Sequence, residues 1–208
     1  MGRVLRRTSL LFLRGRIGPP GRRGHSTTQP AFTDYVQRSM IRTDDDGRNA
    51  QRLRADVVAI VTGGSSGTGR EVARALTGWG WAIVIVYLEH QRAAESTVNE
   101  ILAAGGNVVA VRADPADDLD VQRLFAESTA AFARVDVVVH TTTGSDSLLY
   151  QHAARHVRSR GAIVSVSAAD PLAPGVARQL HERGISVGRA PAGDVLSFLD
   201  SWRRRASG

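Results

Sequence analysis

The residues of this 208-residue chain best suited to chemistry begin at Thr62-Gly63-Gly64-Ser65-Ser66-Gly67-Thr68-Gly69. Glycines interleaved with hydroxyl side chains make a loop whose backbone N–H groups can surround an anion. Gly63 allows a sharp turn or a positive φ, Gly67 a close backbone approach to a pyrophosphate, and Gly69 close packing of the segment that follows. Thr62, Gly63, Ser65, Ser66, Gly67, Thr68 and Gly69 are therefore the candidate phosphate-loop residues. Three further polar sites follow apolar runs: Glu89, Asp114 and the pair His140-Thr141. His152 and His156 have the i, i+4 spacing of a metal pair, but no third ligand, no Glu after His152 and no cysteine accompany them. They are read as one face of a helix, and no metal site is assigned.

These groups must be carried by strands and helices, and the chain supplies them in alternation. Val57–Val61 is a β-branched strand. The loop follows, and Glu71-Val72-Ala73-Arg74-Ala75-Leu76 continues as a helix to about Thr77, closed by Gly78. Strand, Gly-rich loop and helix in that order form the opening unit of a dinucleotide-binding fold, with the positive end of the helix dipole aimed at the anion. Trp81–Tyr87, Val108–Arg112, Val135–Val139, Gly161–Ser167 and a short segment from Ile185 to Val187 read as further strands. Residues 91–104, 118–133, 148–159, 174–183 and 194–204 read as helices between and after them. The expectation is an α/β fold: a single Rossmann-type, doubly wound parallel sheet of about six strands, occupying residues 56–208.

In that frame Glu89 stands twenty residues past Gly69, where an acid accepts hydrogen bonds from an adenosine ribose. Arg92 nearby could instead suit an extra phosphate. Both also read as ordinary charges at a helix start, and NAD and NADP are not distinguished. Asp114 stands at the C-terminal edge of the sheet beside the loop, where such ligands bind, and could also cap the next helix.

Thr-Gly-x-x-x-Gly-x-Gly at Thr62–Gly69 resembles the short-chain dehydrogenase/reductase family, and the resemblance runs from about Asp56 to the C-terminus. It implies a nicotinamide cofactor, NAD or NADP, and an oxidoreductase ancestry. Ala113-Asp114-Pro115 resembles the family's adenine clamp. His140-Thr141-Thr142-Thr143 falls on the family's Asn-Asn-Ala-Gly, so His140 and Thr141 take the Asn positions, and Thr143 puts a β-branched side chain where the backbone should approach closely.

The catalytic Ser of the family falls on Ala168, with Ser167 one residue earlier. The Tyr-x-x-x-Lys pair has no counterpart, since the tyrosines are Tyr35, Tyr87 and Tyr150 and the chain contains no lysine. Val176–Val187 resembles the segment after the catalytic helix, so that helix reads as deleted. The stretch from Gly144 to Gly161 is short enough that the helix bearing the supporting Asn has nowhere to sit. No catalytic residue is assigned; His140, His181 and Tyr150 are the substitutes available for proton transfer. The expectation is a dinucleotide-binding protein with lost or much weakened hydride transfer. The alternative is an active oxidoreductase on a small carbonyl or alcohol, using non-standard acid/base groups.

Composition limits the partners. The net charge of +7 divides unevenly: residues 1–55 carry 12 Arg against four Asp, and residues 56–208 carry 15 Arg against 16 acids. The near-neutral domain is not read as a nucleic-acid binder, and no run reaches the ~18 apolar residues of a membrane span. Residues 1–55 lack periodicity and read as a disordered Arg-rich extension, with Met40 as a second candidate start. A cytoplasmic location is expected, with organellar targeting by the Arg-rich, acid-free start as the alternative. The resemblance implies dimers or tetramers built on helices that are shortened here, which leaves self-association open.

Overall fold

Apolar runs rich in valine and isoleucine become six parallel strands: β1 Val58–Thr62, β2 Ala82–Tyr87, β3 Asn107–Arg112, β4 Val137–His140, β5 Ala162–Ser165 and β6 Ser186–Arg189. β-Branched side chains suit a sheet covered on both faces. Every residue of β1, β2, β4 and β5 is buried. The computed structural model describes residues 55–142, 147–166 and 172–206. The expectations placed on residues 1–54, Thr143, Gly144, Ser167, Ala168 and Ala169 lie outside the described residues.

The strand order is β3-β2-β1-β4-β5-β6. The chain builds outward from β1 to β3, then returns to begin β4 on the other side of β1. That reversal leaves a crevice at the C-terminal ends of β1 and β4, where open α/β sheets bind ligands.

Six helices cover the sheet: α1 Gly67–Gly78, α2 Gln91–Ala103, α3 Asp118–Phe132, α4 Ser147–His156, α5 Pro174–Glu182 and α6 Val195–Ala206, the last preceded by a 3-10 turn at Ala192–Asp194. Alternate strand residues point to opposite faces. Val58, Ile60 and Val84 therefore meet Phe125 of α3, Leu149 of α4 and Leu180 of α5. Ala59, Val61, Ile83 and Ile85 meet Leu76 of α1, Val98 of α2 and Leu199 of α6.

Several boundaries differ from the sequence expectation. β1 and β4 each extend one residue further, to Thr62 and His140, because hydrogen bonding between the strand ends outlasts the apolar run. β4 starts at Val137 rather than Val135, since the Asp136 side chain accepts the Val58 N–H at 2.9 Å. The α4 helix stops at His156, and Arg160 then takes a left-handed φ of 63° to turn the chain into β5. The last strand shifts to Ser186–Arg189. The crossover from β4 to β5 holds the helix expected there, Ser147–His156, and it contains no Asn.

Of the two helix histidines, His152 is buried and His156 is exposed. His152 is 6% exposed, its Nε2 lies 2.9 Å from Asp118 Oδ1, and both imidazoles stack on Phe125. Among the described residues no group of three or more His, Cys, Asp or Glu is placed to hold a metal, and no helix is long and apolar enough to cross a membrane.

Candidate functional site

The loop between β1 and α1 is shaped by glycine in three different ways. Gly63 adopts φ 64°, a left-handed turn that a Cβ would strain, and a Cβ there would also lie 2.8 Å from Thr141 Oγ1. Gly69 lies under the loop: a Cβ there would overlap the Gly63 carbonyl and sit 2.8 Å from Thr141 Oγ1. Gly67 has φ 49° with no heavy atom within 4 Å of a Cβ position, so its surface is open for a ligand to approach.

α1 begins bare. Its N-cap Ser66 makes no side-chain cap, and its first turn carries no acid. The opening N–H groups of a helix have no intrahelical acceptor, and the macrodipole adds partial positive charge at the same point. By contrast α3 is closed by its own cap: Asp117 Oδ1 accepts the Asp120 N–H at 2.9 Å, with Asp118 and Asp120 in its first turn. Behind the loop, Thr97 Oγ1 of α2 donates to the Ser65 carbonyl at 3.4 Å and to Ala93 at 3.0 Å, holding the loop from below.

A cavity of about 310 Å³ opens over the loop. Thr62, Gly63, Ser65 and Ser66 form its floor, Val86 to His90 one wall, Ala113 to Ala116 another, and His140 with Thr142 the side toward β4. Glu89 and Asp114, 25 residues apart in sequence, thus line one space. Arg92 does not line it. Gly67, Thr68, Gly69 and Thr141 are not part of that lining.

Asp114 does not cap α3; that role belongs to Asp117, which corrects the alternative offered for Asp114. Asp114 instead fixes its own loop. Its Oδ1 accepts the Ala116 N–H at 2.9 Å, and its own N–H donates to Asp120 Oδ2 at 2.9 Å. Burial pushes the Asp120 carboxyl upward, but the Asp114 N–H and the Arg123 guanidinium outweigh it and hold the group below the usual carboxylate range. Asp120 was not anticipated as a support. Its spacing of three from Asp117, on a helix start, is the signal that points to it.

The end of β4 is tied to the end of β1. The Thr62 hydroxyl accepts the Thr141 N–H at 3.0 Å and is hydrogen-bonded to His140 Nδ1 at 3.0 Å, while Thr141 Oγ1 donates to the Thr62 carbonyl at 2.6 Å. Thr141 therefore has its hydroxyl engaged with the strand and is not on the cavity surface, whereas fully buried His140 lines it. Among the three substitute proton donors, His140 alone lines the cavity; Tyr150 is packed in the core and His181 is exposed on α5. Tyr87 does line it, a position unforeseen from the sequence. Burial, reinforced by Glu95, pushes its phenol above the usual range, which is the wrong direction for proton transfer near neutral pH.

Comparison with known proteins agrees with this geometry. The family model described as short chain dehydrogenase matches residues 57–160. A 3-oxoacyl-[acyl-carrier-protein] reductase from a Synechocystis strain is 40% identical over 83 residues, covering 40% of this chain and 34% of the relative. A hydroxynaphthalene reductase-like protein from Metarhizium anisopliae is 31% identical over 139 residues, covering 56% of this chain and 52% of the relative. Among solved structures, a short-chain dehydrogenase from Burkholderia cenocepacia in complex with NADP superposes with a TM-score of 0.55 at 27% identity, covering 68% of this chain and 75% of that one. The chain spans about a third to a half of the length of these curated relatives.

Proposed function

The chain belongs to the short-chain dehydrogenase family, and from that premise we propose that it binds NAD(P) in the cavity over the β1–α1 loop, with hydride transfer lost or much weakened. The observation that carries the binding half is the uncapped, acid-free start of α1 beneath a cavity whose walls present Glu89 and Asp114. Related proteins supply the cofactor class, since one of similar fold was solved with NADP bound.

The weakened chemistry follows from what the chain can offer a reacting carbonyl. Hydride transfer leaves an alkoxide that must be protonated as it forms, and general acid catalysis contributes roughly 10²–10⁴-fold to such steps. A phenol whose pKa is pulled down by a lysine would do this, but the chain has no lysine. Its one cavity-lining tyrosine, Tyr87, is shifted upward instead. The alternative, an active oxidoreductase on a small carbonyl or alcohol, is favoured by one feature: His140 is a buried imidazole on the cavity wall.

Steady-state NAD(P)H oxidation with quinones, keto-esters and aldehydes separates the two readings. The proposal expects turnover well below about 1 s⁻¹, the low end of typical enzymes. Turnover above that value which disappears in His140→Ala would establish the alternative.

The wall chemistry favours NAD over NADP. Glu89 is the acid at the ribose position, and among the described residues no arginine lines the cavity to receive a 2′-phosphate.

A further inference from the structure

Two walls of the cavity are joined by backbone only at their base. β2 and β3 run in register up to Tyr87 and Arg112, and the Ala113 N–H donates to the Tyr87 carbonyl at 3.0 Å. Past that bond the two chains part: Leu88, Glu89 and His90 form one wall, and Asp114, Pro115 and Ala116 the other. Among the described residues, the backbone bonds beyond that point are local to each wall, such as Gln91 N–H to the Glu89 carbonyl and Asp117 N–H to the Asp114 carbonyl.

Two arginines that do not line the cavity tie the walls together. Ala113 turns its N–H toward β2, so Arg112 turns its own backbone groups away from it. β3 is the edge strand, and no further strand of the sheet accepts or donates there. Arg123 of α3 takes the Arg112 carbonyl instead: its Nη2 donates to that oxygen at 3.0 Å and also to Asp120 Oδ1. The other oxygen of Asp120 accepts the Asp114 N–H at 2.9 Å. In the opposite direction the Arg112 side chain crosses to the first wall, where its Nε donates to the Leu88 carbonyl at 3.1 Å.

A continuous hydrogen-bonded path thus runs from Leu88 through Arg112, Arg123 and Asp120 to Asp114. It starts one residue before Glu89 on one wall and ends on Asp114 in the other. Its links are partly exposed, and a surface ion pair adds little to stability by itself. Fixing two loops at one separation matters more for binding, since a ligand that bridges loose walls must order both.

We propose that Arg112 and Arg123 are positioning residues of the dinucleotide site. With Asp120 they set the gap between the Glu89 wall and the Asp114 wall, and they act as one unit. The inference rests on the reading of this cavity as the NAD(P) site.

NADH titration of the full chain, alongside melting curves, tests it. Arg112→Met and Arg123→Met should each weaken NADH about three- to tenfold while Tm falls by less than about 4 °C. Arg112→Lys, whose ammonium can still reach the Leu88 carbonyl, should recover most of the loss. The double variant Arg112→Met/Arg123→Met should bind no more than about twofold worse than the weaker single variant, because breaking either link opens the same path. NADH affinity within about twofold of the parent in both single variants, a loss that Arg112→Lys does not restore, or losses that multiply in the double variant would each overturn the proposal and leave the cavity's assignment standing. A parent chain that binds neither NADH nor NADPH would instead bring down the assignment itself, and this inference with it.

Discussion

Replacing Gly67 by valine separates ligand binding from folding, because the protein itself leaves that position open. With φ at 49° an L-residue is strained by roughly 1–2 kcal/mol. No heavy atom lies within 4 Å of the new Cβ, so no packing clash adds to that strain. For a domain of this size each kcal/mol lowers Tm by about 2–4 °C, so a fall of ~2–8 °C is expected. Binding should suffer far more, since the isopropyl group occupies the approach to the bare start of α1, and a loss above ~100-fold, about 2.7 kcal/mol, is expected.

Gly69→Ala is the converse. Its Cβ would overlap the Gly63 carbonyl oxygen and lie 2.6 Å from the carbonyl carbon, backbone atoms that cannot rotate aside. Overpacking of this kind costs about 1–3 kcal/mol and here should reach the top of that range, or ~6–12 °C in Tm. Circular dichroism melts read the stability. NADH emission reads the binding, because the chain's three tryptophans form one edge-to-face row, Trp79, Trp81 and Trp202, away from the cavity lining. Gly67→Val binding NADH within threefold of the parent protein would refute the phosphate-loop argument, and a Gly69→Ala protein as stable as the parent would refute the seating of α1 against the loop.

Other perturbations give equally definite outcomes. At ~5 Å in a largely aqueous setting, the Glu89 carboxylate should disfavour a 2′-phosphate by roughly 1–3 kcal/mol, so NADH should bind about 5- to 150-fold tighter than NADPH, and Glu89→Arg should reverse the order in paired titrations. Asp136→Ala strips the Val58 N–H and the Arg134 guanidinium of a buried acceptor and should cost ~3–5 kcal/mol in urea unfolding, with the ligand affinity of the remaining folded protein unchanged. Burial, together with His152, Arg155 and Arg183, holds the His156 imidazole below its usual pKa. A depressed folded-state value means stability present above the unfolded pKa of ~6.5 and lost as pH falls through the folded one, so Tm should drop on acidification below that point and drop less in His156→Gln. A chain shortened to begin at Met40 should melt at the same temperature as the full chain, as expected if the Arg-rich extension adds nothing to the domain.

The sequence alone determined the parallel sheet and the Gly-rich β1–α1 loop beneath the cavity. Alternating apolar runs such as Val57–Val61 and Trp81–Tyr87 can be satisfied only by strands covered on both faces, and the glycines at 63, 67 and 69 have few other uses in that context. Glu89 and Asp114 were legible for the same local reason: each follows a strand, and strand ends meet at one edge of a parallel sheet. Local pattern could not say which way each polar group would turn. The sequence left Asp114 as either an adenine acceptor or a helix cap, and only the folded loop hands that cap to Asp117 and ties Asp114 to Ala116 and Asp120. His140 and Thr141 are adjacent in sequence and equally polar, yet the pairing of β4 with β1 sends one to the cavity and the other to the Thr62 carbonyl. Tyr87 looked like core and is also cavity wall, because the last residue of a central strand belongs to both. Such partners are separated by up to 79 residues along the chain, and a periodicity of two or of 3.6 carries no information at that range.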